Sequence, residues 1–261
     1  MNDLILSIQD LYKTYGDGRE GVRGLSLDVG RGEFFALLGS SGSGKTTALK
    51  AINRLVEATS GRIRFNDLDV AQQDPVQLRR QIGYVFQEIG LFPHMTVAQN
   101  IAVVPRLLGW SATRVDERIG ELLQMVSLPS ELYRNRFPAE LSGGQQQRVG
   151  VARALAAQPA LVLMDEPFGA LDPVTRTGLQ DEYLKFHRLL GLTTIMVTHD
   201  VAEALLMADR IGVLDSGRLV ALGTPAELLR GRDEGALFGI LDKPIEQWKR
   251  LASLIESGER P

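Results

Sequence analysis

The sequence contains no cysteine among its 261 residues, which excludes a disulfide framework and a thiolate metal site. No run approaches the roughly 18 uninterrupted apolar residues that a membrane-spanning helix needs. The formal net charge is only −3, so the overall charge gives no indication of binding to nucleic acid or to an anionic membrane. The N-terminus MNDLILSIQDLYKTY is acidic where a secretory signal would be basic, and its apolar run is short. We therefore expect a chain that is not exported, in a reducing compartment.

Short apolar runs alternate with helix-length segments, and this pattern predicts an α/β fold with one large core. The predicted strands are Ile5 to Leu11, Leu25 to Val29, Phe34 to Leu38, Leu161 to Met164, Thr194 to Val197 and Ile211 to Leu214. Between residues 96 and 158 the spacing becomes helical, which predicts a helical subdomain within a main domain of residues 1–230. The spacing places Val97, Ile101, Val104 and Leu108 on one helix face, and Ile119, Leu122, Leu123 and Val126 on another. Thr224 and Pro225 are suited to cap and start a further helix. Residues 231–261 are then a helical tail to which the sequence gives no role.

A glycine-rich segment, GSSGSGKTT, follows a predicted buried strand and precedes a good helix. The pattern G-x-x-x-x-G-K-[ST] in this context indicates a phosphate-binding loop, because glycines let backbone N–H groups turn inward at a helix N-terminus. Lys45 can reach the β- and γ-phosphates, and the Thr46 hydroxyl can ligate Mg²⁺. The alternative, a flexible Gly/Ser turn, fits the flanking elements poorly. The predicted nucleotide-binding residues here are Gly39, Ser40, Ser41, Gly42, Ser43, Gly44, Lys45, Thr46 and Thr47.

Two carboxylates, Asp165 and Glu166, end the apolar run LVLMDEP. The carboxyl end of a strand is where α/β sheets bind ligands. Asp165 is suited to hold Mg²⁺ directly or through water, whereas Glu166 can polarise an attacking water as a general base. Without the phosphate-binding loop, a solvated pair of acids at a strand end would be the better interpretation.

A second anion site is predicted in LSGGQQQRVGVARAL. Ser142 can cap a helix whose first turn begins with two glycines, so that backbone N–H groups are exposed to an approaching anion. The predicted binding residues are Ser142, Gly143, Gly144 and Gln145. The alternative is a helix N-terminus that binds nothing.

Taken in order, these three segments resemble the Walker A, signature and Walker B motifs of ATP-binding cassette (ABC) ATPases, and the resemblance extends from about residue 5 to residue 223. It implies a P-loop NTPase core of the ABC type with an antiparallel β subdomain and a helical subdomain. It also implies ATP and Mg²⁺ as cofactors and an ATPase activity in which Lys45 and Glu166 are catalytic.

The resemblance extends to two further polar residues with implied catalytic roles. Gln87, in YVFQEIGLFPHMT, resembles the Q-loop glutamine, which links Mg²⁺ and the attacking water to a transmembrane partner. His199, in VTHD, resembles the switch histidine that contacts the γ-phosphate. Because His199 follows a predicted strand, we expect it at the same sheet edge as Asp165. The alternatives are a surface glutamine and a structural histidine.

Two more residues have an implied role in binding nucleotide. Asp172, in GALD, resembles the D-loop aspartate, although Gly169 stands where many members have serine. Asp172 can also cap a helix before the following proline. Tyr15 resembles the aromatic residue that stacks on adenine; Tyr12 is a nearby competitor, and simple packing is an alternative.

In the ABC family two cassettes meet head to tail, so the resemblance implies that each ATP lies between residues 39–47 of one chain and residues 142–145 of another. The implied partners are a second ATPase subunit, taken to be an identical copy, integral-membrane permease subunits and a separate solute-binding protein, with no nucleic acid. The implied location is the cytoplasmic face of the inner membrane, bound peripherally through the permease. The segment from Gln87 to Met95 and the helix that follows it are the expected permease contact.

Three longer stretches, residues 52–63, 77–105 and 165–176, are similar to the ATPases of osmoprotectant importers, which take up glycine betaine, choline, carnitine and related quaternary amines. Many of those carry paired regulatory CBS domains, for which residues 224–261 are too short, so we expect no regulation of that kind. One alternative is an importer ATPase for another small solute, such as an amino acid or a polyamine. Another is a soluble cassette ATPase of DNA repair or translation; it would need a long coiled coil or a second cassette, and neither is present.

Overall fold

The computed structural model describes residues 3–169, 171–230, 246, 248–250 and 253. In these residues the strands form a four-stranded antiparallel sheet, in the order β2-β1-β4-β5, and a six-stranded sheet, in the order β10-β9-β3-β8-β7-β6. The strands are β1 Leu4–Thr14, β2 Glu20–Gly30, β3 Phe34–Leu38, β4 Ser60–Phe65, β5 Leu68–Asp69, β6 Ile82–Val85, β7 Leu161–Asp165, β8 Thr194–Thr198, β9 Arg210–Asp215 and β10 Arg218–Gly223. This arrangement confirms the predicted α/β class with an antiparallel β portion.

The described residues form nine α-helices, four of which lie within residues 97–155. They are α1 Lys45–Ile52, α2 Pro75–Gln81, α3 Val97–Leu107, α4 Ala112–Met125, α5 Ser130–Tyr133, α6 Gly143–Leu155, α7 Pro173–Leu190, α8 Val201–Met207 and α9 Pro225–Arg230. Short 3₁₀ turns occur at Val70–Gln72 and Pro138–Glu140. Among the described residues, no helix is both long and apolar enough to cross a bilayer.

The parallel strands β3, β7 and β8 end side by side, so three chain segments leave the sheet at the edge formed by the carboxyl ends of its strands. All residues of β3, β7 and β8 are buried, as expected for strands with helices on both faces. Leu38 lies beside Thr198, and Asp165 lies beside Val197. The residues that follow these strands therefore leave the sheet together, which confirms the expected placement of His199 at the same edge as Asp165.

The helices of residues 97–155 pack around one apolar cluster. The α4 face that the spacing predicts is confirmed, since Ile119, Leu122, Leu123 and Val126 are all buried in the cluster. The α3 face is only partly confirmed: Val97 and Ile101 are buried, but Val104 is half-buried and Leu108 is 39% exposed. The apolar face is therefore exposed at the end of α3, where Leu107 is 56% exposed. The boundaries of the helical subdomain remain a prediction.

Three predicted helix caps are present. Ser142 accepts a hydrogen bond from the backbone N–H of Gln145, Asp172 from Thr175, and Thr224 from Glu227. These caps fix where α6, α7 and α9 begin, because each satisfies a backbone donor that the helix itself leaves unpaired. The predicted helical tail of residues 231–261 lies outside the described residues, apart from residues 246, 248–250 and 253, which are helical.

Candidate active site

The glycine-rich loop after β3 has the shape that an anion-binding loop requires. Gly42 and Gly44 have φ values of +80° and +101°, which favour glycine. A Cβ on Gly39 would collide with the carbonyl oxygen of Leu214, and a Cβ on Gly44 with that of Gly21. Glycine is therefore needed at residues 39 and 44 for close backbone packing, and at residues 42 and 44 for conformation. The loop runs directly into α1, whose N-terminus adds positive potential.

The Lys45 ammonium lies inside this loop. Its Nζ donates to the carbonyl oxygens of Gly39 and Ser40, both at 2.8 Å, and the residue is only 4% exposed. Burial lowers the pKa of Lys45, while the carboxylates of Glu166 and Asp165 act in the opposite direction. When an anion enters the loop, the Lys45 ammonium can replace its hydrogen bonds to the two carbonyls by stronger ones to phosphate oxygens.

The oxygen ligands predicted for Mg²⁺ are partly assembled. Thr46 Oγ1 donates to Asp165 Oδ1 at 2.9 Å, so the hydroxyl at the start of α1 and the carboxylate at the end of β7 are direct neighbours. Hydroxyl and carboxylate oxygens are the hard ligands that Mg²⁺ takes in nucleotide sites. This donor set fits the metal that the sequence implies.

Glu166, Gln87 and His199 meet around one oxygen atom. Glu166 Oε2 accepts a hydrogen bond from Gln87 Nε2 at 3.2 Å and lies 3.1 Å from His199 Nδ1. Glu166 has a φ of +45°, a left-handed conformation that costs a non-glycine residue about 1–2 kcal/mol. Such strain occurs at functional positions, and here it falls on the residue whose carboxylate contacts the two others. The structure thus brings together three residues that are far apart in sequence.

A cavity of about 350 Å³ joins this cluster to Tyr15. Its lining residues include Tyr15, Gly42, Lys45, Thr46, Thr47, Gln87 and Glu166. Tyr15 Oη lies 3.0 Å from Thr47 Oγ1, which anchors the ring beside the loop. Tyr12 does not line this cavity, and its hydroxyl lies instead against Gly24. Of the two candidate tyrosines, Tyr15 is therefore the one placed beside the phosphate-binding loop.

The residues of the second predicted anion site line a different cavity, of about 610 Å³. Ser142, Gly143, Gly144 and Gln145 meet Asp172 there. The Gln145 side chain accepts from the Ser142 backbone N–H at 3.0 Å and donates to Tyr133 Oη at 3.1 Å, which holds the first turn of α6 in place. Among the described residues, this cavity shares no lining residue with the one beside Lys45.

Four polar residues that the sequence analysis missed contact these segments. Arg19 lies over the Tyr15 ring, with its Cζ 4.7 Å from the ring centroid. Arg176 donates to Leu171 O and to Asp200 Oδ2, both at 3.3 Å, and so joins the segment before Asp172 to the one after His199. Tyr84 donates to Asp165, and Arg153 donates to the two residues Ile89 and Gly90. Tyr84 and Arg153 stand inside segments quoted above, but no motif gives either residue a role, so the sequence carried no signal for these contacts.

Comparison with known proteins agrees with this geometry. Residues 22–169 match the family described as ABC transporter. The chain is 54% identical over 226 residues to the glycine betaine/carnitine/choline transport ATP-binding protein OpuCA of Bacillus subtilis, which covers 87% of this chain and 59% of that protein. It is 52% identical over 225 residues to the glycine betaine uptake system ATP-binding protein YehX of Escherichia coli, covering 86% of this chain and 72% of that protein.

Among solved structures, the chain resembles the ATP-binding cassette MJ0796 in a dimeric, post-hydrolysis state bound to ADP and Pi. The TM-score is 0.76 at 32% identity, covering 84% of this chain and 98% of that one. This chain spans about three fifths of the length of OpuCA, since the match covers 59% of that relative. With the matched segment, the relatives and the P-loop geometry in agreement, the chain belongs to the ABC transporter family.

Proposed function

We propose that this chain binds ATP with Mg²⁺ and hydrolyses it. The main support is that Glu166 contacts both Gln87 and His199. Glu166 also lines one cavity with the phosphate-binding loop of residues 39–47. In this proposal Glu166 accepts a proton from the attacking water, Gln87 orients that water, and His199 donates to the γ-phosphate. Lys45 and the loop N–H groups stabilise the charge on the phosphates.

Thr46, Asp165 and Gln87 would hold the metal. Mg²⁺, when bound, neutralises phosphate charge and orients the phosphate chain. Tyr15 would support the adenine ring, and the cations of Arg19 and Lys13, which both lie over the phenol ring, would stand beside the base. The loop of residues 39–47 would hold the phosphates in the orientation that in-line attack requires.

A complete site would need two copies of the chain. The support is that residues 142–145 and Asp172 line one cavity while the Lys45 loop lines another. The cassette MJ0796, which this chain resembles, has a dimeric structure. Each ATP would then lie between the loop of one copy and the capped α6 terminus of the second, and hydrolysis would remove that link between subunits.

The whole assembly would be an importer of quaternary-amine osmoprotectants such as glycine betaine, choline or carnitine. Support comes from the relatives at 52–54% identity, whose names give these solutes. The chain would attach to permease subunits at the cytoplasmic face of the inner membrane, through residues 87–95 and α3. A separate solute-binding protein would select the cargo, so no residue of this chain needs to contact it. An importer of another small solute would use the same catalytic residues.

A Glu166→Gln variant tests the catalytic part of the proposal. The amide keeps the size of the side chain but cannot accept the proton, so we expect ATP binding to persist while turnover falls to near zero and a dimer accumulates with ATP. Calorimetry, phosphate release and light scattering measure the three effects. A matched control is Glu182→Gln, which alters a carboxylate on α7 that pairs with Arg148 instead. Hydrolysis at the wild-type rate in Glu166→Gln would refute the assignment.

The cargo is tested separately. The complex with its permease and binding protein is reconstituted in vesicles, and ATP-dependent uptake of radiolabelled glycine betaine is measured against choline, carnitine, histidine and putrescine as competitors. We expect competition by the quaternary amines alone. Uptake of an amino acid or polyamine in their place would replace the osmoprotectant proposal and leave the ATPase proposal intact.

A further inference from the structure

Asp165 accepts a hydrogen bond from a second hydroxyl, that of Tyr84, which stands three residues before Gln87. Tyr84 Oη donates to Asp165 Oδ2 at 3.3 Å, while Thr46 Oγ1 donates to Oδ1 at 2.9 Å. Both oxygens of the carboxylate are therefore engaged, one by the helix that follows the phosphate-binding loop and one by the neighbouring strand. Two donors on opposite sides fix the rotation of a carboxylate, whereas one leaves it free to turn.

Strand pairing explains why Tyr84 reaches this position. β6 runs parallel to β7, with Tyr84 beside Leu163. Leu163 and Asp165 are two residues apart and share a face of the strand, so the Tyr84 side chain projects on the side of the Asp165 carboxylate. A tyrosine at this register is long enough to reach the end of β7 with its hydroxyl.

The ring itself is fixed and its hydroxyl is a donor. Tyr84 is half-buried and packs on Phe86, with ring centroids 4.4 Å apart. An ordinary phenol carries its proton at neutral pH, so the Tyr84 hydroxyl can donate to Asp165. Tyr84, Asp165 and Thr46 also line one cavity of about 720 Å³ that opens beside the nucleotide site. The hydroxyl thus belongs to the site and not to the closed core.

We propose that Tyr84 is a positioning residue for Mg²⁺: it fixes the Asp165 carboxylate so that Thr46 and Asp165 present their oxygens to the metal together. This inference rests on the proposed ATP and Mg²⁺ binding. Tyr84 does not touch nucleotide in this role and acts only through Asp165. Partners that orient metal-holding groups typically change metal affinity by about 10- to 100-fold when they are removed.

The test is Tyr84→Phe, which removes the hydroxyl and keeps the ring on Phe86. ATP affinity is measured by calorimetry in EDTA and at increasing Mg²⁺, and metal binding is followed separately by the electron paramagnetic resonance of Mn²⁺ with ATP. We expect unchanged metal-free ATP affinity, about tenfold more metal for half-saturation and a broadened Mn²⁺ spectrum. Tyr183→Phe is the matched control, because it removes a buried tyrosine hydroxyl that pairs with Thr194 and has no contact with Asp165.

A double-variant comparison separates positioning from packing. In an Asp165→Asn background, Tyr84→Phe should change the metal requirement by less than about twofold, because the group through which it acts is already altered. An equal metal requirement for Tyr84→Phe and wild type would overturn the inference, as would an equal shift in Tyr183→Phe. If wild type itself binds no ATP, the proposed function fails instead; ATP binding by wild type with no effect of Tyr84→Phe rejects only the role of Tyr84.

Discussion

Arg153 connects helix α6 to the segment from Gln87 to Gly90, called here the Gln87 segment. Its Nη1 donates to Gly90 O at 2.7 Å and its Nη2 to Ile89 O at 3.1 Å, just after Gln87 in the chain. We predict that Arg153→Met, which keeps an unbranched apolar stem and removes the guanidinium, weakens both the fold and the catalytic geometry. The Gln87 segment would lose its attachment to α6, and the amide would leave its place beside Glu166.

The magnitude follows from these contacts. Hydrogen bonds from a charged donor contribute about 1.5–3 kcal/mol each. Because Arg153 is only half-buried, we take the low end of this range for each hydrogen bond. Water can replace the lost donor at the exposed Gly90 O, which offsets part of the lost stability. We expect the free energy of unfolding to fall by about 2 kcal/mol. A catalytic group displaced by about 1 Å can cost about 100-fold in rate, so a drop in kcat of about tenfold is expected for a loosened segment.

Urea denaturation and steady-state phosphate release measure the two effects. Arg106→Met is the control, since it removes an exposed arginine from α3. Arg153→Lys should lie between wild type and Arg153→Met, because a single ammonium can satisfy only part of the same pair of carbonyls. A stability loss below about 0.5 kcal/mol together with a wild-type kcat would refute the reasoning.

Two further predictions concern acid stability and the phosphate-binding loop. Burial lowers the pKa of His187, so on acidification below about 6.5 the unfolded state binds a proton that the folded state resists, and stability falls. In urea titrations between pH 8 and 5.5, His187→Gln should reduce this loss of stability, whereas substitution of the exposed His94 by Gln should not. If the free energy of unfolding depends on pH equally in the two variants, the prediction is wrong. Gly44→Ala should abolish ATP binding in calorimetry and lower the melting temperature, because its Cβ meets Gly21 O. Gly42 also has a positive φ, but a Cβ there would meet no other atom, so Gly42→Ala should destabilise the fold by only about 1 kcal/mol. An equal loss of stability and of ATP binding in the two variants would contradict this prediction.

Much of the fold was predictable because its strands are buried on both faces. β3, β7 and β8 are continuous apolar runs, and their predicted bounds differ from the observed ones by no more than one residue. β4, β5, β6 and β10 were not predicted. β4 alternates buried and exposed residues in a charged sequence, and β6 is only four residues long, so neither has a strong apolar run. Their pairing in the sheets, not their own composition, makes them strands.

By itself, the sequence determined the local anion-binding elements, because a few contiguous residues specify the backbone conformation of the loop of residues 39–47 and of the Ser142 cap. The tertiary structure decided which distant groups meet. Gln87 and Glu166 are 79 residues apart, and Tyr84 and Asp165 are 81 apart. Such contacts depend on the order and register of parallel strands, because adjacent carboxyl ends bring side chains together whatever their separation in the chain. The chemistry of each motif could thus be predicted from its residues, whereas the positioning of the carboxylates is a property of the folded sheet.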